Sequence, residues 1–128
     1  RRLMSSITVE NYISNYLAND NVIIVGDLND DIESLTGVFN AFLNKPEEYL
    51  FADYLIAQET NHWDYWSYPT YPSHIDHIMI TNELFDAYES PDSQCKTILI
   101  DDIVGSWNTY NTYISDHRPV ALSLDVSQ

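Results

Sequence analysis

"NVIIVGDLND", residues 21–30, is the stretch on which the reading of this chain turns. Four apolar residues, Val22 to Val25, run into Gly26 and then into Asp27, Asn29, Asp30 and Asp31. A short, continuous apolar run of this kind reads as a strand covered on both faces. Its polar end has two readings. Either the strand leaves the core and meets water, or it holds a carboxylate still at the edge of a cleft.

The surroundings suggest layers. Upstream, Val9, Tyr12, Ile13, Tyr16 and Leu17 form an apolar stripe at helical spacing, which predicts a helix over 7–18. Downstream, Leu35, Val38, Phe39, Phe42 and Leu43 repeat that spacing, and Pro46 follows the stop. "YLFADYLIA" (49–57) is apolar and reads as strand, and 61–73 as an ordered, aromatic-rich loop. "HIDHIMI" (74–80) reads as a strand with both faces covered, "NELFDAY" (82–88) as one or two helical turns, and "KTILIDDIV" (96–104) as a strand. "RPVALSLDV" (118–126) puts Val120, Leu122, Leu124 and Val126 on one face, a strand with one side on the core. Helices and strands alternate early and strands dominate late, which predicts an α/β fold with a mixed sheet.

At 128 residues the chain is long enough for one domain, 1–128, with its own core. No apolar run approaches the ~20 residues of a transmembrane helix. The single cysteine, Cys95, excludes an internal disulfide. The opening "RRLMSSITVENY" lacks the apolar core of a signal peptide. The compartment stays open; a secreted or cell-envelope location would follow from an upstream signal already removed. The net charge is −15. Such a field repels nucleic acid and anionic membranes at long range and suits divalent cations.

Three stretches place hard oxygen or imidazole groups at strand edges: Asp27 and Asn29 after β-like "VIIV", Asp76 within "HIDHIMI", and Asp116 with His117 before "RPVALSL". If the strands are neighbours, these edges converge on one cleft. The chemistry that fits is attack of water on a phosphate ester. A hard cation such as Mg²⁺ prefers carboxylate oxygens, neutralises phosphate and stabilises developing charge. A carboxylate beside the water serves as base. A histidine oriented by another carboxylate donates to the phosphate.

In order and wording the three stretches resemble the endonuclease/exonuclease/phosphatase family of DNase I-like and exonuclease III-like enzymes. "GDLN" (26–29) resembles its Gly-Asp-x-Asn motif, "SHIDHIMI" (73–80) its Ile-Asp-x-Ile motif and "SDHRPV" (115–120) its Ser-Asp-His-x-Pro-Val motif; "FADY" (51–54) fits the segment between the first two. The resemblance implies half of a four-layer α/β sandwich, a mixed and mostly antiparallel sheet with helices on one face. It implies Mg²⁺ or Mn²⁺ as cofactor and a phosphate-ester substrate, with nucleic acid among the candidates. Asp27 would orient or deprotonate the water and help hold the metal, with Asn29 assisting at the nucleophile or a phosphate oxygen. Asp116 would hold the metal, and His117, oriented by Asp76, would contact the scissile phosphate. Arg118, beside His117, would be placed to see a phosphate, and Ser115 would support the turn.

The resemblance covers the family's second half only. The first half supplies a principal metal-binding Glu, and "GDLN" begins here at residue 26. "DYLIAQET" (53–60) offers Glu59 in a Gln-Glu pair, but after "GDLN" rather than before it, and is taken as coincidence. His74 stands where relatives often have Arg, and His77 where Tyr is frequent. Three residues apart in a strand, His74 and His77 would point to opposite faces and share no metal. A half-sandwich leaves an apolar sheet face open, so either a complementary N-terminal half or self-association is expected to cover it. The rival to an enzyme is therefore an incomplete half-domain that acts only once docked.

Overall fold

The computed structural model describes residues 1–59 and 61–126. Helix α1 spans Arg2–Tyr16 and leads into strand β1, Ile23–Asp27. Helix α2 (Asn40–Leu43), strand β2 (Tyr49–Phe51) and helix α3 (Tyr54–Gln58) follow. After the aromatic loop come strand β3 (Asp76–Thr81), helix α4 (Phe85–Glu89) and strand β4 (Gln94–Thr97). Helices α5 (Ile100–Ile103) and α6 (Trp107–Tyr113) precede strand β5, Val120–Ser123.

The chain is mixed α/β, with two small antiparallel sheets. One has three strands in the order β1-β3-β2; β4 and β5 form the other. Every strand pairing among the described residues is antiparallel, where a mixed sheet was expected. No helix among the described residues is long and apolar enough to cross a membrane.

Strand β3 is the central element, and Ile78, Met79 and Ile80 on its two faces are all buried. Met79 and Phe51 join Ile13, Phe39 and Phe42 in one core, with Ile24 packed against it. Helices α1 and α2 therefore cover this face. Burial of each such side chain contributes about 1.5–3 kcal/mol. Strand β1 is not covered twice, as its apolar run suggested: Ile23 and Val25 on its other face are 46% and 64% exposed. An edge strand has no sheet neighbour on one side, and the cover over Ile78 and Ile80 of β3 leaves Ile23 and Val25 exposed.

Several elements differ from the periodicity. In α1 the buried positions are Ser6, Glu10 and Ile13, while Val9, Tyr12 and Tyr16 are exposed. The helix is turned so that Glu10 faces inward, where its carboxylate accepts from Lys45 at 2.7 Å and Ser14 at 2.6 Å. The stripe over 35–43 yields only the four-residue α2, and Leu35 is fully exposed. Gly37 breaks it: its φ of +63° lies in the left-handed region, which ends a right-handed helix. "YLFADYLIA" is strand only to Phe51, then turns at Ala52–Asp53 into α3. "KTILIDDIV" is strand to Thr97 and then helix α5. Strand β5 is half-buried at Val120, Ala121 and Leu122 rather than buried on one side alone.

Candidate functional site

The β1–β3 ladder pairs Ile23 with Ile80 and runs to its far end at Asp27 opposite Asp76. Two carboxylates are thus set directly across from each other. Like charges in that position are destabilising. Gly26, just before, has φ +153°, a backbone that L side chains rarely adopt, yet it stays in the ladder opposite His77. Asn29 then takes the left-handed φ of 59°, which Asn tolerates better than most. Its backbone N–H donates to Asp27 Oδ1 at 3.0 Å and its side-chain amide to Oδ2 at 2.8 Å. Both oxygens of Asp27 are therefore oriented by one residue.

His117 reaches Asp76 from the segment between α6 and β5. Its Nδ1 lies 2.7 Å from Asp76 Oδ2, and both side chains are about one-fifth exposed, at 24% and 18%. With Nδ1 donating to Asp76, Nε2 is the ring position left for an outside partner. Ser106 caps α6 by accepting from the Thr109 N–H at 3.1 Å. That helix carries buried Tyr110, whose hydroxyl donates to the His117 carbonyl at 2.8 Å. Ser115 accepts the His117 N–H at 3.0 Å, the turn-supporting role expected of it. Tyr68 stacks on the imidazole, ring centroids 4.6 Å apart and 25° from parallel.

Ser67 ties these parts together and has no signal in the sequence. It is fully buried, and its hydroxyl accepts from the Ile75 and Asp76 N–H groups at 3.0 and 3.2 Å. Its carbonyl accepts from the Arg118 N–H at 2.7 Å. One residue thus anchors both the start of β3 and the segment after His117.

Asp27, Asp76 and His117 form one group: each offers a ligand atom, and these atoms lie within 4.8 Å of one another. The donor set suits Mg²⁺ or Mn²⁺, which bind through one or two carboxylates and keep several waters on an open side. Asp116 is exposed at the neighbouring bend and does not join that group.

The phosphate contact expected of Arg118 is corrected. Its side chain is turned inward and buried at 1% exposure. Nε and Nη2 donate to Asp101 Oδ1 and Oδ2 at 2.9 and 2.6 Å, and Nη1 donates to the Trp63 carbonyl at 2.6 Å. The guanidinium also lies 4.5 Å from the Trp63 ring centre. A planar fork finds a better partner in the buried carboxylate of α5 than in solvent. Arg118→Met is therefore expected to cost about 3–5 kcal/mol, because it leaves Asp101 buried and unpaired. Urea unfolding reads this; a phosphate-contact role would instead lower turnover without lowering stability.

His74 and His77 are corrected too. Strand β3 begins only at Asp76, so strand alternation does not reach His74. Both rings converge on Asp53 Oδ2, His74 Nε2 at 3.1 Å and His77 Nδ1 at 2.6 Å. Asp53 Oδ1 accepts the Ile78 N–H at 2.8 Å. Burial opposes ionisation of Asp53, yet the bonds from His74 and His77 outweigh it and hold the carboxyl down at about 2. Burial opposes charge on His77 as well, but the hydrogen bond and charge of Asp53 prevail and raise its pKa above 6.5. The signs give a pH window. The Asp53 contribution is present above 3.8 and is lost as pH falls towards about 2. The His77 contribution is complete below 6.5 and is lost as pH rises through its raised native value. Metal-free protein is expected to unfold at the highest urea concentration between about pH 4 and 6.5, on the window this pair sets. A midpoint that keeps rising above pH 7 would contradict it.

Cys95 offers no nucleophile: burial, with the Asp53 charge, pushes its thiol up to about 12. Compared with known proteins, the chain matches no family model, no curated protein and no solved structure.

Proposed function

We propose that this chain is a divalent-metal-dependent phosphoester hydrolase, or the half of one that carries its water- and phosphate-handling residues. The observation that carries the reading is the Asp76–His117 hydrogen bond at 2.7 Å beside Asp27, directly across the ladder. Two opposed carboxylates at a strand end cost stability. A cation would relieve that cost, and an imidazole oriented by one of them is suited to an oxyanion.

In this reading Asp27, its oxygens oriented by Asn29, positions the attacking water and accepts its proton. Asn29 keeps that carboxylate in one orientation and offers its own oxygen to the water or the phosphate. His117 donates from Nε2 to a phosphate oxygen, with Asp76 holding the ring in place through Nδ1. Tyr68 restricts the ring from one side. Asp27 and Asp76 would hold Mg²⁺ or Mn²⁺, which would supply charge neutralisation at the phosphate. Asp116, at the bend, has at most an outer role.

The substrate class is a small phosphate ester or diester. The charge of −15 disfavours a long polyanion such as DNA unless a second surface supplies basic groups. The finer fold, half of a four-layer sandwich with a complementary N-terminal half or a second copy over the open face, is part of this proposal. Exposed Ile23 and Val25, on the strand that carries Asp27, favour it. Sedimentation is expected to show reversible self-association at micromolar concentration, weakened in Ile23→Asp/Val25→Asp; a strictly monomeric wild type would count against self-association.

The deciding experiment is hydrolysis of a chromogenic phosphodiester with Mg²⁺, with Mn²⁺ and with EDTA. Metal-dependent turnover that His117→Ala abolishes supports an active unit. No turnover from folded protein, restored by a complementary half, supports the docked half-domain. Turnover indifferent to EDTA and to His117 rejects the reading.

A further inference from the structure

We infer that Asp53, His74 and His77 form a second, buried metal site for a transition ion of the Zn²⁺ or Co²⁺ type, independent of the hydrolytic reading. The three side chains come from the turn after β2, the approach to β3 and β3 itself. They are 0%, 3% and 0% exposed, and each offers a ligand atom within 4.8 Å of the other two. His74 Nε2 and His77 Nδ1 face the same oxygen, Asp53 Oδ2, at 3.1 and 2.6 Å. Around a tetrahedral ion with bonds of ~2 Å, ligand atoms stand roughly 3.3 Å apart. The group needs to open by less than about 1 Å to admit one.

The far side of each ring carries the stronger argument. His74 Nδ1 lies 2.6 Å from the Tyr65 carbonyl, and His77 Nε2 lies 2.9 Å from the Asp30 carbonyl. A carbonyl only accepts, so both remote nitrogens carry hydrogens. A metal-ligating histidine is usually fixed in this way, its other N–H given to a backbone oxygen. In a neutral ring so fixed, the near nitrogen presents a lone pair. Two such lone pairs then point at one carboxylate oxygen, which is repulsive unless something positive lies between.

Two species satisfy that geometry. A proton on each near nitrogen gives two imidazoliums and one carboxylate, a net charge of +1. A divalent ion with two neutral rings and one carboxylate also gives +1. Exchanging two protons for the ion leaves the buried charge unchanged and replaces two hydrogen bonds by three coordinate bonds. Two imidazoles and one carboxylate are donors for Zn²⁺ and Co²⁺. Mg²⁺, which demands oxygen ligands, fits a set of two imidazoles and one carboxylate poorly.

Entry and a fourth ligand are provided for. A cavity of about 360 Å³ opens beside His74, lined in part by Asp31, Glu33 and Glu59. Those carboxylates attract a cation, and the space is large enough for a water. The site also bears on the surface group above it. His77 holds the Asp30 carbonyl, one residue beyond Asn29, so a metal-locked ring braces the segment that carries Asp27.

The test is a titration of EDTA-dialysed protein with CoCl₂, read by visible absorption. Wild type is expected to develop the intense bands of a four-coordinate nitrogen–oxygen site, and those bands should saturate with one equivalent bound at the buried group. One equivalent of Zn²⁺ should bleach them, and millimolar Mg²⁺ should not. Asp27→Ala/His117→Ala, which removes the exposed group, should keep the spectrum. His74→Gln should weaken binding by roughly 100-fold or more. Should His74→Gln fail to fold, the ring ¹⁵N shifts of wild type decide. Zn²⁺ should move His74 Nε2 and His77 Nδ1 to metal-bound values; unmoved shifts overturn the site. So does the absence of saturable Co²⁺ binding, or a spectrum lost in Asp27→Ala/His117→Ala and kept in His74→Gln.

Discussion

Asp27→Ala should lower metal-dependent phosphodiester hydrolysis by about 10²–10⁴-fold, the range for removal of a positioned general base. The side chain is exposed and belongs to no part of the core, so the fold should survive. Its loss removes the proton acceptor and the carboxylate held by both the backbone N–H and the amide of Asn29. It also removes one of the two opposed charges on the ladder, so stability should stay level or rise slightly. A large fall in kcat with an unchanged or raised urea midpoint is the combined signature. Asp116→Ala should have the smaller effect, because that side chain stands outside the group formed by Asp27, Asp76 and His117. Equal losses in the two variants would mean that the metal is gathered from the bend rather than from the ladder.

Asp53→Ala should have the largest effect on stability, about 3–5 kcal/mol, the cost of breaking a buried charged pair by removing one partner. The carboxylate satisfies three donors at once: both buried rings and the Ile78 N–H of the central strand. Without it the rings face each other with no counter-charge in a dry interior. A loss of that size is a large part of the 5–15 kcal/mol that holds a typical domain together. Asp53→Asn, which keeps shape and one acceptor, should cost less. Urea unfolding at pH 5.5, within the window expected for this group, gives the measurement. A loss under about 1 kcal/mol would mean that water already reaches the rings.

Much of the exposed site was legible because strands announce their ends. An apolar run stopping at Gly-Asp, and an Ile-Asp pair opening another run, place two carboxylates at strand edges whatever the fold. That Asp27 and Asp76 sit opposite one another is a matter of register, and register depends on pairing between segments about fifty residues apart. The His117–Asp76 contact likewise requires β5 to fold back beside β3. The motif wording pointed to that contact; periodicity alone did not.

Other residues were misplaced for identifiable reasons. Arg118 follows His117 in sequence, and adjacency suggested a shared ligand. Its long side chain instead turns inward to Asp101, a partner created when "KTILIDDIV" breaks into strand and helix. Glu10 lies outside the apolar stripe of Val9, Tyr12, Ile13, Tyr16 and Leu17, yet it is buried. Lys45, Ser14 and Tyr49 make its burial tolerable, and all three arrive from elsewhere or from the next helical turn. His74 and His77 were separated by a strand rule applied two residues too early.

What the amino-acid order determined by itself was local: the apolar runs that become β1 and β3, the acids at strand ends and the charge of −15. Each depends on neighbours within a few residues, where backbone sterics and side-chain alternation act directly. Only the tertiary structure decided which charges are buried together. Asp53 with His74 and His77, and Arg118 with Asp101, are partnerships of residues 17 to 24 positions apart. A buried charge is tolerated only once its counter-charge has been brought to it, and that is settled by packing.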